Sequence, residues 1–95
     1  MDNGVRFFVH HAQDTVGVAV SDIQAGEIVE GWVMDENKTV RITALSDIPL
    51  GHKIALSDIS PGDPVIKYNV PICLAISGIK AGEHVHVHNV KSARW

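Results

Sequence analysis

Ninety-five residues, 45% of them hydrophobic and 20% charged, suit one small domain with room for one core and little more, and exclude a disordered chain. The formal charge is -3 and the eight basic residues are scattered, which excludes the clustered cationic face of a nucleic-acid-binding protein. The one cysteine, Cys73, excludes an internal disulfide framework and agrees with a cytoplasmic location, while the apolar run 70–78 is too short to cross a bilayer and contains Pro71.

The start, "MDNGVRFFVHH", has an early acid and too short an apolar stretch for a secretory signal. In chain order, β-type runs are expected at 5–11 (VRFFVHH), 16–20 (VGVAV), 27–34 (EIVEGWVM), 39–45 (TVRITAL), 53–56 (KIAL), 64–68 (PVIKY), 71–76 (PICLAI) and 84–90 (HVHVHNV). The "DENK" at 35–38 reads as a hairpin loop between the third and fourth runs. Glycine or proline interrupts nearly every candidate amphipathic helix. The expected class is all-β, with short strands and many turns.

Between the runs one phrase recurs, Ile-x-x-Gly-x-x-Val/Ile, beginning at Ile23, Ile48, Ile59 and Ile79. A reverse turn accounts for it: the isoleucine anchors the arriving strand, glycine takes a positive φ, and the next apolar residue starts the departing strand. Pro49 and Pro61 fall in the bends, and Asp22, Asp47 and Asp58 precede the isoleucines, where they can accept hydrogen bonds from turn amides. The glycines at 26, 51, 62 and 82 are unequally spaced, which argues against a regular solenoid.

The "GEHVHVHN" at 82–89 holds three of the six histidines on alternate positions. On a regular strand His84, His86 and His88 share one face, and Val85 and Val87 point into the core. Two neighbouring imidazoles can then converge on one ion, but the outer two stand about 13–14 Å apart, so all three share a metal only if the strand bends sharply. Neutral imidazoles suit Zn, Fe, Ni and Cu; the alternative is a solvent-facing strand that happens to carry imidazoles. His52 follows a turn glycine and can project into a cleft or lie on the surface. Lys67 and Tyr68 fall on opposite strand faces, with Lys67 either a carboxylate-binding cation or a solvated lysine. His10 and His11 read as a strand end. Cys73, in an apolar run without nearby charge, reads as core.

Taken together, "ITALSDIPLGHKIALSDISPGDPVIKY" and "IKAGEHVHVHN" resemble the SAF domain, the small N-terminal domain or subunit of the altronate/galactarate dehydratase family, which also includes the small subunit of sulfolactate sulfo-lyase. The phrases "GHKIAL", "GDPVIKY", "GEHVHVHN" and "DTVGVAVSDIQAGE" carry the resemblance, and 30–40 is its vaguest part. It implies a β-clip fold over residues 1–95 and lyase chemistry: β-elimination of water, or of sulfite, from a hydroxylated carboxylic acid. It further implies a divalent metal, Fe(II) or Mn(II), in a site completed by a large catalytic subunit. The chain is expected to be a separately encoded small subunit, the alternative being a cut domain, and to be able to form a homo-oligomer when isolated.

On this reading the acid/base candidates are His52, Lys67 and His86; Lys67 and Asn89 are the substrate-binding candidates; and His84, His86 and His88 are the metal ligands. The same residues are compatible with a non-catalytic ligand-binding or assembly module. One segment departs from the family pattern Tyr-Gly-x-x-Ile-Gly, reading Tyr68-Asn69-Val70-Pro71-Ile72-Cys73. Asn69 can keep a left-handed turn, and Cys73 puts a side chain where glycine leaves room, a change that bears on substrate more than on fold.

Overall fold

Four glycine turns organise the molecule. Gly26, Gly51, Gly62 and Gly82 have φ of 93°, 86°, 87° and 93°, the conformation that a turn with a left-handed third residue demands. Each turn is closed by a backbone hydrogen bond: Glu27 N–H to Gln24 C=O, His52 to Pro49, Asp63 to Ser60 and Glu83 to Lys80, at 2.9–3.1 Å. The computed structural model describes residues 4–68 and 70–92. Among the described residues there are nine strands and no helix: β1 (Val5–Val9), β2 (Val16–Ala19), β3 (Ile28–Val33), β4 (Lys38–Thr43), β5 (Lys53–Ala55), β6 (Pro64–Lys67), β7 (Val70–Ala75), β8 (His84–Val85) and β9 (Val90–Ser92). The all-β expectation holds.

The strands form a six-stranded sheet in the order β4-β3-β1-β2-β5-β8 and a three-stranded sheet in the order β6-β7-β9. The pairings are antiparallel except β1 with β3, which is parallel and shifts register between Val5 and Phe7. Phe7 is fully buried opposite Gly31, and Gly17 flanks it from β2; a side chain on either glycine would collide with its ring.

The turns work in reciprocal pairs. Ile23 and Ile48 exchange both backbone hydrogen bonds, and so do Ile59 and Ile79. The aspartates before them do accept from turn amides, but from those of the partner turn: Asp22 from Leu50 N–H (2.8 Å), Asp47 from Ala25 N–H (2.9 Å) and Asp58 from Ala81 N–H (2.9 Å). Each turn glycine also donates its N–H to a buried alanine of the paired unit, Gly26 to Ala44, Gly51 to Ala19, Gly62 to Ala75 and Gly82 to Ala55.

The repeating unit is therefore longer than the turn phrase. It starts at the alanine and reads Ala-x-Ser-Asp/Gly-Ile-x-x-Gly-x-x-Val/Ile, at 19–29, 44–54, 55–65 and 75–85. Its alanine, isoleucine and final aliphatic residue are buried in every copy. The first pair of units packs into one core with Phe7, Val9 and Val33, and the second pair packs into another with Val16. Each fully buried isoleucine or valine contributes about 1.5–3 kcal/mol, so these clusters are the main stabilising term.

Two expectations are corrected. The expected run 84–90 is not one strand: β8 ends at Val85, residues 86–89 turn, and β9 joins the other sheet. Val85 is buried as expected, but Val87 sits on the turn and is 78% exposed, because alternation between faces stops where the strand stops. Lys67 and Tyr68 do not point to opposite faces, because the strand ends at Lys67 and Tyr68 turns left-handed (φ 57°). The Lys67 ammonium folds back over the Tyr68 ring at 3.9 Å. The turn role expected of Asn69 lies outside the described residues.

Candidate functional site

The histidines converge because two separate features bring them together. The first is the β5–β8 pairing, which sets Ile54 opposite His84; continuing that register by two residues sets His52 opposite His86. His52 occupies the position just after the turn glycine, held by Pro49 C=O on its N–H and by Ala19 N–H on its carbonyl; the other three units carry Glu27, Asp63 and Glu83 at this position. The second is the turn at 86–89, closed by Asn89 N–H donating to His86 C=O at 3.0 Å. It bends the chain enough to bring the His88 ring within 5.2 Å of that of His84, although His88 stays outside the three-nitrogen group.

His52 Nδ1 and His84 Nε2 lie 2.9 Å apart, and the His52 and His86 rings stack with centroids 4.4 Å apart. His84 lies 5.4 Å from His86 and 5.2 Å from His88, ring centre to ring centre. One nitrogen from each of His52, His84 and His86 falls within 4.8 Å of the others. The 2.9 Å between His52 and His84 is a hydrogen-bond distance between the two rings. Two nitrogens each about 2.1 Å from a six-coordinate ion also stand about 3.0 Å apart, so with the shared proton gone the same spacing fits a pair of ligands on one ion. The donor set is all imidazole, which fits Fe(II), Zn(II) or Ni(II) on its own and fits Mn(II) only with added oxygen ligands.

Burial pushes the His84 imidazole below its ordinary pKa, and the neighbouring His52, His88 and His86 push the same way. His84 is therefore neutral near pH 7, the form that binds metal or accepts a proton. His52 and His84 are half-buried, whereas His86 and His88 are exposed. A cleft of about 400 Å³ lies elsewhere, lined by Val9, Asp14, Thr15, Arg41 and Leu56 among others, and not by these imidazoles.

Of the residues singled out from sequence, His52, His84 and His86 meet, and His88 packs against His84 at the edge of the group. Lys67 belongs to a different group, with Tyr68 and with His10, whose ring is 4.0 Å from that of Tyr68. Asn89 is 6% exposed and spends its side chain on the backbone of the histidine segment, not on the open surface. His11 faces Asp35 at 3.5 Å. Cys73 packs against the second core, and burial raises its thiol pKa; Lys53 opposes this, so the run is not free of nearby charge. Sequence reasoning missed Ser46, whose hydroxyl accepts from His84 N–H at 3.4 Å. Its recurrence in all four units was the available signal.

These features define a small all-β domain that carries an open imidazole cluster at the edge of its larger sheet. The chain belongs to the altronate/galactarate dehydratase SAF domain family, whose sequence profile matches residues 5–93. It is 47% identical over 92 residues to the (2R)-sulfolactate sulfo-lyase subunit alpha of Chromohalobacter salexigens, covering 96% of this chain and 98% of that one. It is 46% identical over 63 residues to the subunit of the same name from Paracoccus pantotrophus, covering 66% and 94%. The altronate dehydratase of Bacillus subtilis is 43% identical over 86 residues, 90% of this chain but 16% of that much longer protein.

Proposed function

We propose that this chain is the small, non-autonomous subunit of a lyase of the altronate/galactarate dehydratase class. Its imidazole cluster forms one wall of a site whose other wall belongs to a large catalytic subunit. The observation that carries this reading is the convergence of His52, His84 and His86 on an open surface. A dry, pre-organised pocket is where charge stabilisation is strongest, and exposed imidazoles gain such a pocket only when a partner covers them. The near end-to-end match to a sulfo-lyase subunit favours a sulfonated hydroxy acid, with sulfite as leaving group, over a sugar acid that loses water.

In the elimination, the proton on the carbon beside the carboxylate is removed and the bond from the adjacent carbon to the leaving group breaks. The His84 imidazole, kept neutral by its surroundings, would hold a divalent ion through a ring nitrogen, and His86 or His52 accepts the proton or returns one to a departing hydroxide. A divalent ion, when bound, supplies Lewis acidity toward a substrate oxygen. Lys67, outside the cluster, serves in this reading as a cation for a substrate anion, and Fe(II) agrees with the donor set better than Mn(II). The partner-completed site, a cytoplasmic setting and the small hydroxy-acid substrate all belong to this proposal.

The test is elimination from sulfolactate, altronate and galactarate by the chain alone, the large subunit alone and the mixture. Turnover of sulfolactate by the mixture only is expected. Equal turnover by the chain alone defeats the shared-site reading. If His52→Ala and His86→Ala in the mixture leave turnover unchanged, the chain is an assembly module; if substrate binding is lost, it is a binding module.

A further inference from the structure

Strand pairing brings His52 to His84, and the chain reversal between His86 and Asn89 brings His88 back to the same ring. One buried side chain holds that reversal and the backbone of His84 and His86. Asn89 Oδ1 accepts from His86 N–H at 3.0 Å, and Asn89 Nδ2 donates to His84 C=O at 2.8 Å. Its own N–H closes the turn on His86 C=O, and its C=O accepts from Ile76 N–H at 2.9 Å, which ties the turn to the end of β7. A single residue thus makes four hydrogen bonds, three of them to the backbone of two of the clustered histidines. It is 6% exposed, so water does not readily replace these bonds.

We infer that Asn89 is a positioning residue: it sets the imidazole cluster without touching ion or substrate. In an extended strand His84 and His88 would stand about 13–14 Å apart at Cα; with the turn in place their ring centres are 5.2 Å apart. An asparagine fits the post because its amide offers an acceptor and a donor on one short, stiff stem. An aspartate keeps the acceptor for His86 N–H but sets a carboxylate against the His84 carbonyl. An alanine supplies neither bond. This inference rests on reading the cluster as a ligand site, and it replaces the expectation that Asn89 contacts substrate.

The experiment uses the full chain as wild type, Asn89→Ala and Asn89→Asp. Zn(II) affinity is measured by competition with a chelating dye. Ring–ring NOEs of His84 with His52, His86 and His88 report the cluster itself, and the backbone amide spectrum of β1 to β5 reports the rest of the fold. The expected result is an Asn89→Ala chain with β1 to β5 unchanged, the ring NOEs lost and Zn(II) affinity lowered about 10–100-fold, with Asn89→Asp in between. Wild-type affinity and intact ring NOEs in a folded Asn89→Ala chain overturn the inference. If that variant does not fold, Asn89→Asp decides: wild-type behaviour overturns the inference and an intermediate loss supports it. Should the wild type bind no Zn(II), the ligand-site reading fails, and the NOEs alone decide whether Asn89 positions the rings.

Discussion

Pro61 stands where the other three turns present an N–H to their partner, and Gly78 stands where the other three units carry the aspartate that receives it. Proline has no N–H, so a carboxylate at 78 would find no donor. Donor and acceptor are missing together, which is what a brace between paired turns requires.

Asp58→Ala should therefore cost about 0.5–1.5 kcal/mol, because Ala81 N–H loses its acceptor. Gly78→Asp should give no gain, although a side chain at 78 meets nothing within 4 Å. Combined with Pro61→Ala it should become stabilising. Urea midpoints of the two single variants and the double variant measure this, and a gain from Gly78→Asp alone would contradict the brace.

Phe7 depends on the glycine opposite it. Gly31→Ala puts a methyl group inside the Phe7 ring, on a parallel pairing with no slack, and should destabilise by about 1–3 kcal/mol. Adding Phe7→Leu should recover part of that loss, since the collision goes while an apolar side chain remains. Thermal or urea unfolding of the three variants checks it; two losses that simply add would mean that the residues do not compete for space.

Acid should weaken the metal-free fold through His84. Its folded pKa lies below the usual imidazole value of 6.5. Above 6.5 the ring is neutral in both states and the fold keeps its full stability. As pH falls from there to the folded value, the unfolded chain takes up a proton that the folded His84 resists, so stability drops across that window and levels off below it. Urea midpoints at about pH 7.5 and 5.5 should differ more for the wild type than for His84→Asn. An equal difference in the two proteins would acquit His84.

Cys73 should be a slow thiol. Burial raises its pKa, so little thiolate is present at neutral pH. Iodoacetamide should alkylate it several-fold more slowly in the folded chain than in urea; equal rates would show that the site is open.

The turns were legible in the sequence because glycine and proline act locally: Gly26, Gly51, Gly62 and Gly82 need no distant contact to demand a positive φ. The partnership of Ile23 with Ile48 and of Ile59 with Ile79 was not legible, since nothing in a single phrase names its partner. The leading alanines were overlooked for a related reason. Alanine at 19, 44, 55 and 75 looks unremarkable until its carbonyl is seen to receive a turn glycine. At the site, the alternation of His84, His86 and His88 suggested shared ligands, and Val85 behaved as alternation requires. Val87 did not, because the side chain of Asn89, three residues beyond His86, ends the strand through bonds that periodicity does not register. His52 joins the cluster across thirty-two positions through strand pairing.

The boundary between Ile54 and Ala55 has an unusual property. The first core draws all its buried members from before it, and the second draws all but Val16 from after it. Each side keeps its own reciprocal turn pair. A chain severed there is cut inside β5, yet each fragment keeps most of its own buried cluster. Neither fragment could assemble the histidines, because His52 travels with one and His84 and His86 with the other. Contact among those imidazole rings would then report the rejoining of the two pieces.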